Sequence, residues 1–248
     1  MKRRWIATLA IATAAVLFPA LAEAKSLSQP CGLAASPALT GALLKQAPDL
    51  DPEVLDLALG ASACANEKGL ARKGDLLTVI DYSIASTEPR LWTFDLSDKK
   101  LLFREHVAHG VNSGGNRPTK FSNINGSRQT SLGLFVAEEP YYGANGYSMR
   151  MRGLERGVNH LARERAIVMH GAPYVDPAAA RKQGRLGRSW GCPAVRTAVA
   201  RKMIDTLKNG SLIFAYYPDN RWLASSAFLQ RPGSGEGGAS VQTARAAR

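Results

Sequence analysis

The stretch AIVMHGAPYVDPAAARKQGRLGRSWGCPAVR, residues 166–196, decides how this chain is read. Ala166 to Met169 is an apolar run of strand length that delivers His170. Cys192 follows in the glycine-punctuated turn Leu186-Gly187-Arg188-Ser189-Trp190-Gly191-Cys192-Pro193. These are the parts of a thiol nucleophile and its base. A thiol at its ordinary pKa of about 8.5 is scarcely ionised at neutral pH, so attack on a carbonyl needs a nearby imidazole or a positive field. His170, Arg185 and Arg188 are the candidates to supply them. Simple packing is the competing explanation, because cysteine is among the most buried residue types and core histidines are common. Against it stand the glycine-rich, arginine-flanked setting of Cys192 and the bias of Pro193, which steers Cys192 away from helical geometry.

The cysteine count adds a third argument once the N-terminus is read. Met1-Lys2-Arg3-Arg4 is a positively charged start, Trp5 to Phe18 an apolar core and Ala22-Glu23-Ala24 a small-residue cleavage site, which together predict a secretory signal peptide over residues 1–24, cut after Ala24. The run is short for a membrane span. The mature chain is therefore expected outside the cytoplasm, in a bacterial periplasm. An oxidising compartment pairs the cysteines it can, and the chain has three. Cys31 and Cys64 flank a helical hairpin pattern, so they are expected to form a disulfide that leaves Cys192 free.

The net charge is +12, and removing Lys2, Arg3, Arg4 and Glu23 leaves +10. Such a surface favours polyanionic partners. No helix-turn-helix, zinc-ligand or aromatic-basic single-strand motif is present, which argues against nucleic acid. Cell-wall carboxylates and the anionic envelope surface are better matches, although much of the charge can serve solubility alone. His160, His170 and Cys192 include no close-spaced ligand pair, so neither a metal nor another cofactor is expected.

Residues 25–72 read as a small helical N-terminal arm, with Ser36-Pro37 and Asp51-Pro52-Glu53 as helix starts. From Leu76 the period changes to two. Thr78, Ile80, Tyr82 and Ile84 alternate, Leu91 to Leu96 and Leu101 to His109 flank the turn Ser97-Asp98-Lys99-Lys100, and further short strands are expected at Leu132 to Ala137, Ala166 to Met169 and Ser211 to Tyr217. This predicts a mainly β fold with flanking helices, a β-sandwich or open barrel, over residues 73–222. Residues 112–127 and 139–159 read as long loops, with Tyr141, Tyr142, Tyr147 and Arg150 as lining candidates. Thr197 is expected to cap a helix carrying Val199, Met203, Ile204 and Leu207, closed by Asn209-Gly210. Residues 223–248 read as a disordered tail.

His170-Gly171, then Ser189-Trp190-Gly191-Cys192 and Arg196, resembles the murein L,D-transpeptidase catalytic domain family, and the likeness extends upstream through His109-Gly110, Ser113-Gly114, Ser122-Asn123, Ser131-Leu132-Gly133 and Gly146-Tyr147-Ser148. Trp190 stands where the commonest family pattern has a second histidine, and Pro193-Ala194 precedes Val195-Arg196; both match the branch carrying Ser-Trp-Gly-Cys-Pro. The resemblance implies a cofactor-independent acyl transfer on peptidoglycan stem peptides. Cys192 attacks the carbonyl of the third, diamino-acid residue, the terminal D-Ala leaves, and an amine resolves the thioester as a 3→3 cross-link. Resolution by water instead gives an L,D-carboxypeptidase or endopeptidase, and loss of chemistry at Trp190 gives a wall-binding module. His170 is expected as base, with the Gly171 carbonyl, the Ser189 side chain or, more weakly, Asp176 fixing its tautomer. The N–H groups of Gly191 and Cys192 are the expected oxyanion donors. Arg196, Arg188, Trp190, Tyr147 and His109 are the substrate-contact candidates, with Arg196 equally suited to anchoring the loop.

Overall fold

The computed structural model describes Cys31 and residues 36–229. The expected signal peptide and most of the expected disordered tail lie outside these residues. Helices α1 (Pro37–Leu44) and α2 (Pro52–Glu67) each begin at a proline, whose missing N–H costs nothing at a helix start, and the Asp51 carboxylate accepts the Glu53 N–H at 2.8 Å. Ser36 makes no side-chain cap. One face of α2, including Val54, Leu55, Ala58 and Leu59, is buried in the same core as the strands described next. Cys64 near its end is bonded to Cys31, with Cα atoms 5.4 Å apart, and Cys192 is free.

Nine strands follow: β1 (Leu76–Asp81), β2 (Leu91–Asp95), β3 (Lys100–Glu105), β4 (Val107–Ala108), β5 (Gly133–Gly143), β6 (Gly146–Gly153), β7 (Val168–Ala172), β8 (Ala194–Arg196) and β9 (Leu212–Tyr216). They form one sheet in the order β3-β2-β1-β9-β5-β6-β7-β8-β4. The two edge strands, β3 and β4, are separated in the chain by His106 alone. A sheet whose opposite edges are joined through one residue must curl on itself, so the architecture is a nearly closed barrel. The segment 101–109, expected as one strand, is thus broken at His106 so that its halves serve opposite edges. Buried Arg90 seals this corner: Nε and Nη2 donate to the Val107 carbonyl at 3.1 and 2.8 Å, and Nη1 donates to the Ile84 carbonyl at 2.8 Å. Alternation in β1 does not separate inside from outside, because residues 77–81 are all buried, one face toward the interior and the other under α2.

Of the region 139–159, expected as a loop, residues 139–153 form a hairpin and only 154–159 are irregular. The hairpin continues β5, turns through Ala144-Asn145 and returns as β6, with a bulge between Ala137 and Pro140. Helix α4 (Thr197–Leu207) packs on β7 and buries Ala200, Met203, Ile204 and Leu207. Thr197 is its first residue and not its cap. Arg196 holds the cap position without a side-chain cap bond, because a guanidinium offers only donors and cannot accept the first helical N–H groups. Asn209 and Gly210 end the segment with positive φ, as their residue types favour. Two short helices, α3 (Pro177–Gln183) and α5 (Asn220–Ser225), complete the fold. Asp176 caps α3 through the Ala178 and Ala179 N–H groups, so it does not orient His170. Among the described residues no helix is long and apolar enough to cross a membrane.

Candidate active site

Strands β7 and β8 run parallel with His170 opposite Ala194 and Gly171 opposite Val195. Cys192 lies two residues before Ala194, which puts its Cα about 8 Å from that of His170 for strands of ordinary rise and spacing. Its sulfur is turned onto the backbone just upstream of the histidine. The Val168 N–H points at Sγ at 3.5 Å, and Sγ approaches the Ala166 carbonyl at 3.6 Å. Side chains alternate along β7, so His170 and Gly171 face opposite ways. A Cβ at Gly171 would come within 2.8 Å of Ala200 Cβ on α4, which places His170 on the face away from that helix.

His170 is only 3 % exposed, and its Nδ1 lies 3.0 Å from the Gly171 carbonyl. A carbonyl only accepts, so Nδ1 carries the proton and Nε2 presents its lone pair. Burial lowers the imidazole pKa, with the Gly171 carbonyl pulling weakly the other way. Burial also raises the Cys192 pKa, against smaller opposing effects from the Val168 N–H and the Arg165 charge. The resting pair is therefore a neutral thiol and a neutral imidazole, the protonation states from which a base can take a proton.

The turn holding Cys192 is pinned from three sides. Ser189 Oγ donates to the Cys192 carbonyl at 2.6 Å and accepts the Gly191 N–H at 3.1 Å. The Ser189 backbone bonds the segment 109–111 on both sides, N–H to the His109 carbonyl at 3.0 Å and carbonyl to the Val111 N–H at 2.8 Å. Thr130 Oγ1 donates to the Gly191 carbonyl at 3.2 Å while accepting the Gly110 N–H at 2.9 Å. Gly191 adopts φ +120°, and a Cβ there would sit 2.7 Å from the Gln129 carbonyl oxygen. Only glycine meets both demands. Ser189 thus shapes the turn and does not orient the histidine, and the Gly191 N–H, expected as an oxyanion donor, is already spent on Ser189.

Four of the expected substrate contacts are engaged by partners within the fold. Arg196 forms a two-point ion pair with buried Glu105 at 2.8 and 2.6 Å, tying β8 to the end of β3. Arg188 Nη1 donates to the Val111 and Gly114 carbonyls, and Arg185 Nη1 donates to the Leu186 carbonyl. His109 is 1 % exposed. Its Nδ1 accepts from Arg90 Nη2 at 2.8 Å and its Nε2 faces the Gly114 carbonyl at 3.4 Å. Burial, with Arg90 beside it, pushes the His109 pKa down to about 3. Tyr147 shares the Gly171 side of the sheet and donates to Asp205 of α4 at 2.7 Å, while the Tyr142 ring lies tilted at 45° with its centroid 5.2 Å away, and Arg150 lies over Tyr141. Tyr147 and Tyr142 thus lie on the α4 side, whereas Tyr141 and Arg150, which alternate with them along β5 and β6, share the face of Ser148 and His170. Trp190 has no such partner within hydrogen-bonding reach among the described residues and stands 71 % exposed.

Sequence reasoning missed Arg165. Its guanidinium donates to the Ser122 and Gln129 carbonyls at 2.6 and 2.7 Å, to Ser127 Oγ at 3.1 Å and to Ser131 Oγ. Its charge also reaches Cys192. Nothing local sets it apart from the other 31 Lys and Arg residues. Tyr174 was missed as well; burial, with the sulfur nearby, pushes its pKa up to about 12. Among the described residues no group of three His, Cys, Asp or Glu could hold a metal ion.

The model of the L,D-transpeptidase catalytic domain matches residues 46–216. Similar solved structures include an L,D-transpeptidase from Mycobacterium smegmatis (15 % identity, 58 % of this chain and 59 % of that one, TM-score 0.36) and one from Stackebrandtia nassauensis (14 %, 79 % and 78 %, 0.35). The helical cell shape determining protein Pgp2 from Campylobacter jejuni is a third (13 %, 62 % and 53 %, 0.37). The chain spans roughly half to three fifths of the length of the first such structures. No curated protein matches the sequence.

Proposed function

The chain belongs to the L,D-transpeptidase catalytic domain family, and from that premise we propose that it transfers the acyl group of a murein stem peptide through a Cys192 thioester. What supports this reading is the pairing of β7 with β8, which sets Cys192, whose thiol is free, two residues before the register partner of His170, with His170 Nδ1 3.0 Å from the Gly171 carbonyl. His170 Nε2 takes the thiol proton as Sγ attacks the carbonyl carbon of the third stem residue. The Cys192 N–H faces the developing oxyanion, and the Arg165 charge eases formation of the thiolate. Collapse expels D-Ala, whose amine receives the proton from His170. An acceptor amine then attacks the thioester and closes a 3→3 cross-link; water in its place gives the tripeptide.

We propose that this chemistry takes place outside the cytoplasm, as a charged and apolar start of this kind leads one to expect. The Cys31–Cys64 disulfide supports such a location, because bonds of this kind persist in oxidising compartments. The test feeds a purified disaccharide-tetrapeptide to the mature protein and reads the products by mass. Cross-linked dimers support the transferase, and tripeptide plus D-Ala supports the hydrolase. Turnover that persists in Cys192→Ala rejects the reading. A penem-type β-lactam gives a second readout, a covalent adduct that Cys192→Ala lacks.

A further inference from the structure

Against the turn that carries Cys192 lies the loop of an arginine whose guanidinium makes no hydrogen bond or ion pair among the described residues. The Arg128 guanidinium lies over the Trp190 ring, 4.4 Å from its centroid, and both side chains are exposed. No acceptor for its N–H groups is found among the described residues. Stacking on an indole orders a guanidinium while leaving its in-plane edge open, and that edge matches a carboxylate with two parallel hydrogen bonds.

The backbone beneath this pair is built to hold it. Arg128 has φ +54°, a left-handed conformation unusual for a residue with a side chain. Its carbonyl accepts the Asn112 N–H at 3.2 Å and packs where a Cβ on Gly110 would come within 2.4 Å. The neighbouring Gln129 carbonyl takes the place that a Cβ on Gly191 would need. The loop carrying Arg128 is thus laid directly onto the turn carrying Trp190 and Cys192. Arg165 reaches the same loop from below through Ser127 and Gln129, on either side of Arg128, and no carboxylate among the described residues pairs with either arginine. Two guanidinium groups brought to one loop without an acidic partner leave a positive field at the mouth of the site.

We propose that Arg128, held on the face of Trp190, anchors a carboxylate of the peptide substrate close to the bond that Cys192 attacks. The proposal rests on the acyl-transfer reading for the identity of the peptide. Two carboxylates have the right chemistry, the C-terminal one of the departing residue and the side-chain one of the third residue. Arg128 is a specificity-determining contact, whereas Trp190 positions it.

Binding to the Cys192→Ala chain, which cannot acylate, separates this from the chemistry. The probes are a stem tetrapeptide with both carboxylates free, the same peptide amidated at its C-terminus, and the same peptide amidated on the third side chain. Arg128→Gln is expected to weaken binding of the free peptide by roughly tenfold, the size of one charge-assisted contact at an exposed site. Amidation of the anchored carboxylate should cause a similar loss in the parent and none in Arg128→Gln, and the peptide whose response disappears identifies which carboxylate is held. Arg128→Lys should recover part of the loss, and Trp190→Leu should weaken the same peptide selectively. Equal binding of all three peptides to the parent, an amidation penalty that survives Arg128→Gln, or no peptide binding overturns the proposal. The acyl-transfer reading fails on a different result, turnover that does not need Cys192.

Discussion

Acid should loosen the loop behind the nucleophile before it damages the rest of the barrel, and His109 is the reason. In the folded chain this imidazole accepts from Arg90 and holds its proton on Nε2, so a second proton would face the Arg90 guanidinium without solvent, and its pKa falls to about 3. In the unfolded chain it titrates near 6.5. The folded value is the depressed one, so its contribution to stability is complete above about pH 6.5 and is lost as pH falls toward 3. At about 1.4 kcal/mol per pH unit, the loss reaches about 3 kcal/mol by pH 4. The His109 carbonyl receives the Ser189 N–H, so this loosening reaches the turn of Cys192. Urea denaturation of wild type and His109→Asn, followed from pH 7.5 to 4, isolates the site because every other group titrates in both. The variant, which has no such proton to gain, should be weaker at neutral pH but lose about 3 kcal/mol less than wild type over that interval. Parallel curves would refute the reasoning.

Other residues give equally definite expectations. His170 must be neutral to accept a proton and its pKa lies below the ordinary histidine value, so the acid limb of a kcat/KM profile should fall below pH 6.5; a midpoint above that value counts against His170 as base. Gly191→Ala forces a Cβ toward the Gln129 carbonyl at φ +120°, and should cost about 3 kcal/mol in thermal unfolding together with most of the activity; a wild-type melting temperature would show that the turn is not so constrained. Arg196→Ala leaves buried Glu105 without its partner and should cost about 2 kcal/mol, part of it recovered when Glu105→Gln is added; equal loss in the single and double variants would deny the coupling.

What could be read from the sequence is what adjacent residues decide. Strand periods and proline-started helices are local signals, and they located β1, β2, α1, α2, β7 and β9. The break at His106 was not legible, since nothing in Glu105-His106-Val107 announces that its two sides join opposite edges of a rolled sheet. The β5–β6 hairpin was hidden because Glu138 and Glu139 bulge outward and the polar tip carries glycines. Partners far away in the chain decided the arginines: Arg196 is claimed by Glu105, 91 residues earlier, and Arg165 by a loop some 40 residues earlier. A sequence shows that an arginine is present, and only the fold shows whether its charge is already matched. Trp190 was a substrate-contact candidate from its place in the motif, while Arg128 needed the fold to be seen at all.

Acylation of the Cys192 sulfur by a stem peptide is the step on which the proposed function stands. Mixing the mature protein with a stem tetrapeptide, quenching in acid within seconds and weighing the intact chain tests it directly. A mass increase equal to the tetrapeptide minus D-Ala, mapped to Cys192 and released by hydroxylamine, is the predicted result. An unmodified chain that nonetheless consumes peptide, or the same increase in Cys192→Ala, would contradict it.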